Sequence, residues 1–123
     1  MEGAGRFVLH KHTRRGEPPH WDLMFEAGDV LETYRLPASP ITSDRIAAER
    51  IFDHHLRFLT YQGSVNDGAG SVEINESGTY HVIAETDETC RLELRGTTLK
   101  CLLVLSHDKM GSLYITKEDS RAG

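Results

Sequence analysis

Hydrophobic and polar side chains alternate along much of the chain, beginning near the N-terminus. Phe7 and Leu9 take alternate positions in a first segment, as Trp21, Leu23 and Phe25 do in a second. Because successive side chains of a β-strand point to opposite faces, this period of two predicts strands with one buried face. The other face of the second segment, which carries His20, Asp22, Met24 and Glu26, is expected to look into solvent or a cleft.

Turn signals divide the chain into further strands. "AGD" at 27–29 predicts a hairpin turn with Gly28 at positive φ, followed by a strand over 30–36 that ends at Pro37. "NDGAG" at 66–70 predicts a second turn. Five more strands are expected after this turn: 70–76, 79–84, 90–95, 99–106 and "LYITK". "ESG" at 76–78 is expected to separate the first two of them.

One segment between the strands predicts a helix. Ser43 is a suitable N-cap, and "DRIAAERIF" after it carries a weak apolar stripe that includes Ile46 and Ile51. We expect a short helix over 44–52.

These elements together predict a mainly β protein, a small antiparallel β-barrel with one or two short helices. Closure of the sheet would remove exposed strand edges, which favours a barrel over a sandwich. The 123 residues are close to the commonest domain size, so we expect a single domain over 1–123.

Composition narrows the class of protein. Charged residues make up 27%, and no apolar run approaches the roughly 20 residues that span a bilayer, so a membrane protein is not expected. The N-terminus has no apolar signal core, which predicts a cytoplasmic protein. Cys90 and Cys101 are too few and too far apart for a C-x-x-C motif, and we expect free thiols.

Chemistry-bearing side chains concentrate in the segment that contains His12, His20 and Asp22. A hairpin joining the first two strands would bring His12 beside His20, with Asp22 on the same strand face. Two imidazoles and a carboxylate suit Mn²⁺, Fe²⁺ or Zn²⁺ better than Ca²⁺ or Mg²⁺. From the residues alone, a metal site and a solvated strand surface both remain open.

Other side chains offer phosphate chemistry. His54 and His55 are adjacent, so on an extended segment only one of them can face the site, where it could bind or protonate a phosphate oxygen. Arg14 and Arg15 lie in the loop after His12 and are either solvated loop charges or a phosphate-binding pair. The net charge of −5 argues against binding of a phosphate backbone by the whole surface.

The ordered set of segments resembles a known family. The segments run from about residue 6 to residue 116: "RFVLHKH", "HWDLMFE", "GDVLETYRLP", "FDHHLRFLTYQG", "GAGSVEINESGTY" and "LRGTTLKCLLVLSH". In this order they resemble the 3′-phosphoesterase domain of bacterial DNA ligase D, and more closely the stand-alone proteins related to it. The resemblance implies a small barrel, a bound manganese ion and trimming of DNA 3′ ends, by removal of a terminal ribonucleoside and then of the 3′-phosphate.

The resemblance also implies roles for individual residues. His12, His20 and Asp22 match the metal ligands, with zinc as an alternative to manganese, and His54 matches a histidine that contacts the scissile phosphate. These four residues are the expected catalytic set, and Arg14, Arg15 and His54 are expected to bind substrate. Nucleic acid 3′ ends are the expected partner, together with a DNA ligase or polymerase encoded separately for end-joining repair.

Two departures from the family pattern bear on activity. The family reads H-x-D-x-R, whereas Met24 stands where the arginine would be, and Phe58 replaces a tyrosine. A metal-dependent phosphoesterase of reduced activity is therefore expected. The double substitution Met24→Arg with Phe58→Tyr should raise its rate of cleavage. A non-catalytic metal-containing module that binds nucleic acid or a repair partner is the alternative, and an esterase for a smaller phosphorylated molecule is a third.

Overall fold

The computed structural model describes residues 1–118, and almost all of its regular structure is strand. The strands are β1 (Ala4–Arg14), β2 (His20–Ala27), β3 (Val30–Leu36), β4 (Arg45–His55), β5 (Gly63–Val65), β6 (Gly70–Glu85), β7 (Thr89–Gly96), β8 (Lys100–His107) and β9 (Leu113–Glu118). A first 3₁₀-helix, Leu56–Leu59, precedes β5, and the tight turn Asn66–Gly68, whose φ angles are positive, follows it.

The strands form a closed antiparallel barrel. Neighbours follow the order β1-β2-β3-β4-β9-β8-β7-β6, and pairing of β6 with β1 closes the ring of eight. The short β5 adds to the beginning of β6, outside the ring. The predicted mainly β barrel with one or two short helices is therefore confirmed.

The barrel interior is filled by alternate side chains of all eight strands. Phe7, Leu9, Leu23 and Phe25 lie there at 0–1% exposure, packed with leucines of β7 and β8 and with Ile115. The predicted inward stripe on the first two strands is confirmed, with Trp21 partly buried at its end.

A second apolar cluster lies on the outer face of β1–β3. Val8, Met24 and Leu31 are fully buried there beneath Leu59 of the first 3₁₀-helix. Burial of each such side chain stabilises the fold by about 1.5–3 kcal/mol. The prediction that the outer face of β2 is not core is therefore wrong at Met24, because the segment after β4 folds back across it.

The predicted helix over 44–52 is wrong, because those residues lie in β4. The strand pairs with β3 on one side and β9 on the other, so it completes the ring between them. Ile46 points into the core. Pairing on both sides outweighs the high helix propensity of the Ala-Ala-Glu-Arg run.

The runs 70–76 and 79–84 form a single strand, β6, so the predicted turn at "ESG" is also wrong. Gly78 lies in mid-strand, where a Cβ would fall 2.0 Å from the Arg95 carbonyl oxygen of β7. Glycine is therefore needed there for close strand packing and does not mark a turn. The turns at Gly28 (φ 63°) and at Asn66–Gly68 (φ 54°, 55° and 87°) are confirmed. So is the strand 30–36.

Two smaller predictions concern the cysteines and the membrane. Cys90 and Cys101 are buried free thiols, as expected. Among residues 1–118, no helix has the length and apolar character needed to cross a bilayer. The single domain over 1–123 stays a prediction, and its last five residues lie outside the described part of the chain.

Candidate metal centre and phosphate site

The β1–β2 hairpin brings the predicted metal ligands together. Its register pairs His12 with His20 and His10 with Asp22, so these side chains share the outer face of the barrel. Loop residues 15–19, with two prolines, lie between the strand ends. Sequence periodicity and the antiparallel register are sufficient to produce this convergence.

The three groups meet at contact distance. His12 Nδ1 lies 2.9 Å from His20 Nε2, and His20 Nε2 lies 3.5 Å from Asp22 Oδ1. His12 Nδ1 is 4.0 Å from Asp22 Oδ2. One ligand atom from each residue falls within 4.8 Å of the others.

This arrangement fits a divalent metal ion. Ligand atoms about 2.1 Å from one ion lie roughly 3 Å from each other, close to the observed separation of the two imidazole nitrogens. The buried Oδ1 of Asp22 has no hydrogen-bond donor among the described residues, which leaves it available as a ligand. Three protein ligands of this kind leave coordination positions open, as in catalytic rather than structural sites.

Burial favours the neutral imidazoles that metal binding requires. Desolvation lowers the pKa of His12, and the neighbouring His20 lowers it further. Desolvation likewise lowers the pKa of His10, only partly offset by the negative charge of Asp22. At neutral pH both rings are therefore held in the neutral form, in which a ring nitrogen has a free lone pair.

Sequence reasoning missed Arg35. It is the cross-strand partner of Asp22 on β3, and its Nε lies 3.9 Å from Asp22 Oδ1. Arg35 Nε finds no hydrogen-bond partner among the described residues, although the side chain is 43% exposed. The available signal was the register of the 20–36 hairpin, which sets residues 22 and 35 opposite each other.

His54 rather than His55 faces this region. His54 is half-buried, and its ring meets Phe58 edge-on, as His10 does from the other side. His54 and Asp22 also both act electrostatically on His10. His55 instead caps the first 3₁₀-helix, where its Nδ1 accepts from the Arg57 N–H.

The ring of His54 is held in one tautomer. Its Nδ1 lies 3.1 Å from the Phe52 carbonyl oxygen, which can only accept a hydrogen bond. The same Nδ1 lies 2.9 Å from Thr33 Oγ1, whose own hydrogen is donated to the Leu31 carbonyl. Nδ1 of the neutral ring therefore carries the proton, and Nε2 has the free lone pair.

Three further arginines, Arg14, Arg15 and Arg50, differ in their partners. Arg14, the last residue of β1, has its Nε 3.3 Å from Glu17 Oε2 and acts electrostatically on His12. Arg15 is the exposed first residue of the loop that follows. Arg50 is bound to Asp53 at 2.7 Å and to backbone carbonyls. Arg50 is thus committed within the fold, whereas Arg14 lies close to His12 of the candidate metal centre.

The two departures from the family pattern occupy different environments. Met24 is fully buried in the outer cluster, where it packs with Val8, Leu31 and Leu59. Phe58 is partly buried between the His10 and His54 rings. The side chain at position 24 is therefore part of a core, whereas the one at 58 lines the site.

One family of known proteins matches most of this chain. The family model described as the DNA ligase D 3′-phosphoesterase domain matches residues 9–107. A search of curated proteins found no match. The matched range contains the metal-ligand candidates, Arg35 and the His54 segment.

Proposed function

Because the chain belongs to the DNA ligase D 3′-phosphoesterase domain family, we propose that it is a metal-dependent hydrolase of phosphoesters at nucleic acid 3′ ends. The observation that carries the proposal is the convergence of His12, His20 and Asp22 on one point. The proposed substrates are DNA ends bearing a terminal ribonucleoside or a 3′-phosphate, as they arise in end-joining repair. The proposed partner is a ligase or polymerase encoded separately.

His12, His20 and Asp22 would hold the metal. Manganese is the proposed ion because the family resemblance implies it, and zinc, which the same donors also suit, is the alternative. When bound, a divalent ion of this kind supplies Lewis-acid polarisation of a phosphoryl oxygen. His10 lies opposite Asp22 on β1. Its side chain is buried, and burial lowers its pKa, which favours the neutral ring.

His54 is the proposed proton-transfer group. Its Nδ1–H is directed to Thr33 Oγ1 and the Phe52 carbonyl, so the exchangeable position is Nε2. Nε2 in its protonated form donates to a phosphate oxygen and gives its proton to the leaving oxygen. Thr33 orients the ring and takes no proton itself.

Arg35 is the proposed phosphate-binding cation. Its Nε makes no hydrogen bond to the described residues, and Arg35 lies on the side of Asp22 away from His10. A guanidinium presents a planar fork of donors that matches two phosphate oxygens. Arg35 thus offers from β3 the charge that Met24 cannot offer from β2. Arg14 and Arg15 add a salt-sensitive attraction for the strand end.

The decisive test measures both Mn²⁺ binding and cleavage of a primer end. His20→Ala with Asp22→Ala should abolish calorimetric binding of Mn²⁺, and wild-type protein with Mn²⁺ should shorten a primer that ends in one ribonucleotide. The matched control is His107→Ala, which removes an exposed histidine at the end of β8. Undiminished Mn²⁺ binding in the double variant would exclude the metal site.

A non-catalytic binding module is the second candidate function. It is favoured by Phe58, which places an apolar ring between His10 and His54 where the family has a hydroxyl. Binding of 3′-phosphorylated DNA without turnover in Mn²⁺, Zn²⁺ or Co²⁺ would support this candidate. Competition by mononucleotides as strong as that by DNA would instead indicate a smaller phosphorylated substrate.

A further inference from the structure

Phe52 exposes an aromatic ring beside the proposed phosphate site. Its side chain is 72% exposed, although it belongs to a strand of the barrel. The exposure has a structural cause, because the β3–β4 register shifts between Leu31 and Thr33. Bulges of this type redirect side chains and are common next to active sites. Phe52 contributes to neither apolar cluster, so its position is not explained by core packing.

The exposed ring is held in a fixed orientation. Phe52 stacks on His54 with ring centroids 4.8 Å apart and planes inclined by 7°. His54 is itself fixed by Thr33 and by the Phe52 carbonyl, so a restrained ring supports one face of Phe52. The high exposure of Phe52 leaves its opposite face open to solvent.

Phe52 ends a row of rings that leads to the metal centre. From Phe52 the row passes through His54 to Phe58 at 5.8 Å, and from Phe58 to His10 at 6.1 Å. His10 is the cross-strand partner of Asp22. The open face of Phe52 therefore lies next to the histidine proposed to contact the scissile phosphate.

We propose that Phe52 is a stacking surface for an unpaired nucleobase at the 3′ end of the substrate. The inference rests on the proposed function and specifies its substrate class, a single-stranded or frayed end. Every base has a π-face, so an exposed and rigid aromatic ring binds bases with little sequence preference. A base paired inside a blunt duplex is already stacked on its neighbour and is less available to Phe52.

Charge next to the rings supports a nucleic acid rather than an apolar partner. The guanidinium of Arg57 lies 4.8 Å from the centre of the Phe58 ring and 5.5 Å from that of Tyr61. Arg57 is exposed and borders the row of rings at Phe58, and Arg35 lies next to Asp22, the cross-strand partner of His10. Exposed aromatic rings interleaved with cations are the usual composition of surfaces that bind single strands.

The test measures base-dependent binding separately from cleavage. The probe is a single-stranded oligonucleotide with a 3′-phosphate and 2-aminopurine as its terminal base, and the comparison probe has an abasic terminal residue. Binding is followed by 2-aminopurine fluorescence and, for both probes, by anisotropy of a 5′ dye. Phe52→Ala should weaken binding of the base-bearing probe about tenfold and leave the abasic probe unchanged.

Two further variants sharpen the result. Phe52→Trp should retain tight binding because it keeps an aromatic face, and Ile83→Ala should have no effect because it removes a 53% exposed apolar side chain from β6. Equal losses for both probes, or none, would overturn the stacking role. A change in sedimentation of Phe52→Ala without base dependence would indicate self-association and would also overturn it. Base-dependent binding without any cleavage would retain the stacking surface and reject the phosphoesterase.

Discussion

Arg35 faces Asp22 across β2 and β3, with its Nε 3.9 Å from the carboxylate Oδ1 and no hydrogen bond within residues 1–118. A guanidinium at this separation balances the buried carboxylate without using its donors on it. We therefore propose Arg35 as the substrate-binding cation beside Asp22, the proposed metal ligand.

Arg35→Gln should lower the rate of 3′-end cleavage by roughly two to three orders of magnitude, the usual effect of removing one charged donor from a developing phosphate charge, about 2–4 kcal/mol. Mn²⁺ binding should persist, because the substitution removes a positive charge beside Asp22. Calorimetry with Mn²⁺ and steady-state kinetics measure the two effects. Arg95→Gln, which alters an exposed arginine paired with Glu93, is the control. Full activity in Arg35→Gln would exclude this role.

The structure changes the expectation for Met24→Arg. The family places arginine here, but in this chain Met24 is fully buried beneath Leu59. A guanidinium in that cluster has no partner, so we expect the free energy of unfolding to fall by about 2–5 kcal/mol, with no gain in activity. Urea denaturation and the cleavage assay test this. Met24→Leu, which keeps volume and polarity, should cost less than about 1.5 kcal/mol.

Thr33 is the proposed positioning residue, because its hydroxyl hydrogen-bonds with His54 Nδ1 from a fully buried site on β3. Thr33→Val keeps the shape but cannot accept from Nδ1, so we expect kcat to fall about tenfold while KM changes little. The pH dependence of kcat should shift as His54 loses a partner. Thr33→Ser restores the hydroxyl and should restore the pH profile. An unchanged profile in Thr33→Val would indicate that Thr33 acts only in packing.

Much of the barrel follows from local sequence signals. Period-two alternation identifies the inward faces of β1 and β2, and Gly28 and Pro37 delimit β3 correctly. The helix over 44–52 was predicted from the same kind of local signal and is wrong. Its residues are mostly exposed, and their strand state depends on β3 and β9, which are distant in sequence.

The candidate site also combines residues that local sequence signals predict with residues placed by contacts distant in sequence. His12, His20 and Asp22 converge through one hairpin register, which alternation alone predicts. Arg35 follows in the same way from the register of the β2–β3 hairpin, although sequence reasoning did not use it. The Phe52 bulge and the burial of Met24 depend instead on β3–β4 pairing and on the first 3₁₀-helix folding over the barrel, which no short-range pattern reports.

Glu76 of β6 binds the backbone of the β7–β8 turn through its buried carboxylate. Its carboxylate is 4% exposed and accepts hydrogen bonds from the backbone N–H groups of Ser77, Thr97, Thr98 and Leu99. Burial alone would raise the pKa of this carboxyl, but the four hydrogen bonds outweigh burial and lower the pKa below its ordinary value of 4.5. The charged form is therefore the one that stabilises the turn.

Glu76→Gln should reduce the free energy of unfolding at neutral pH by about 2–3 kcal/mol, because an amide cannot accept all four N–H groups and turns its own donors toward them. A carboxyl with a lowered pKa binds fewer protons folded than unfolded, so its stabilisation is complete above pH 4.5 and is lost as the pH falls through the folded value. Urea midpoints measured from pH 7 to pH 3 should show the wild type converging on Glu76→Gln. Glu88→Gln in the exposed β6–β7 turn should leave the pH profile unchanged. A constant difference between wild type and Glu76→Gln at every pH would contradict the charged role.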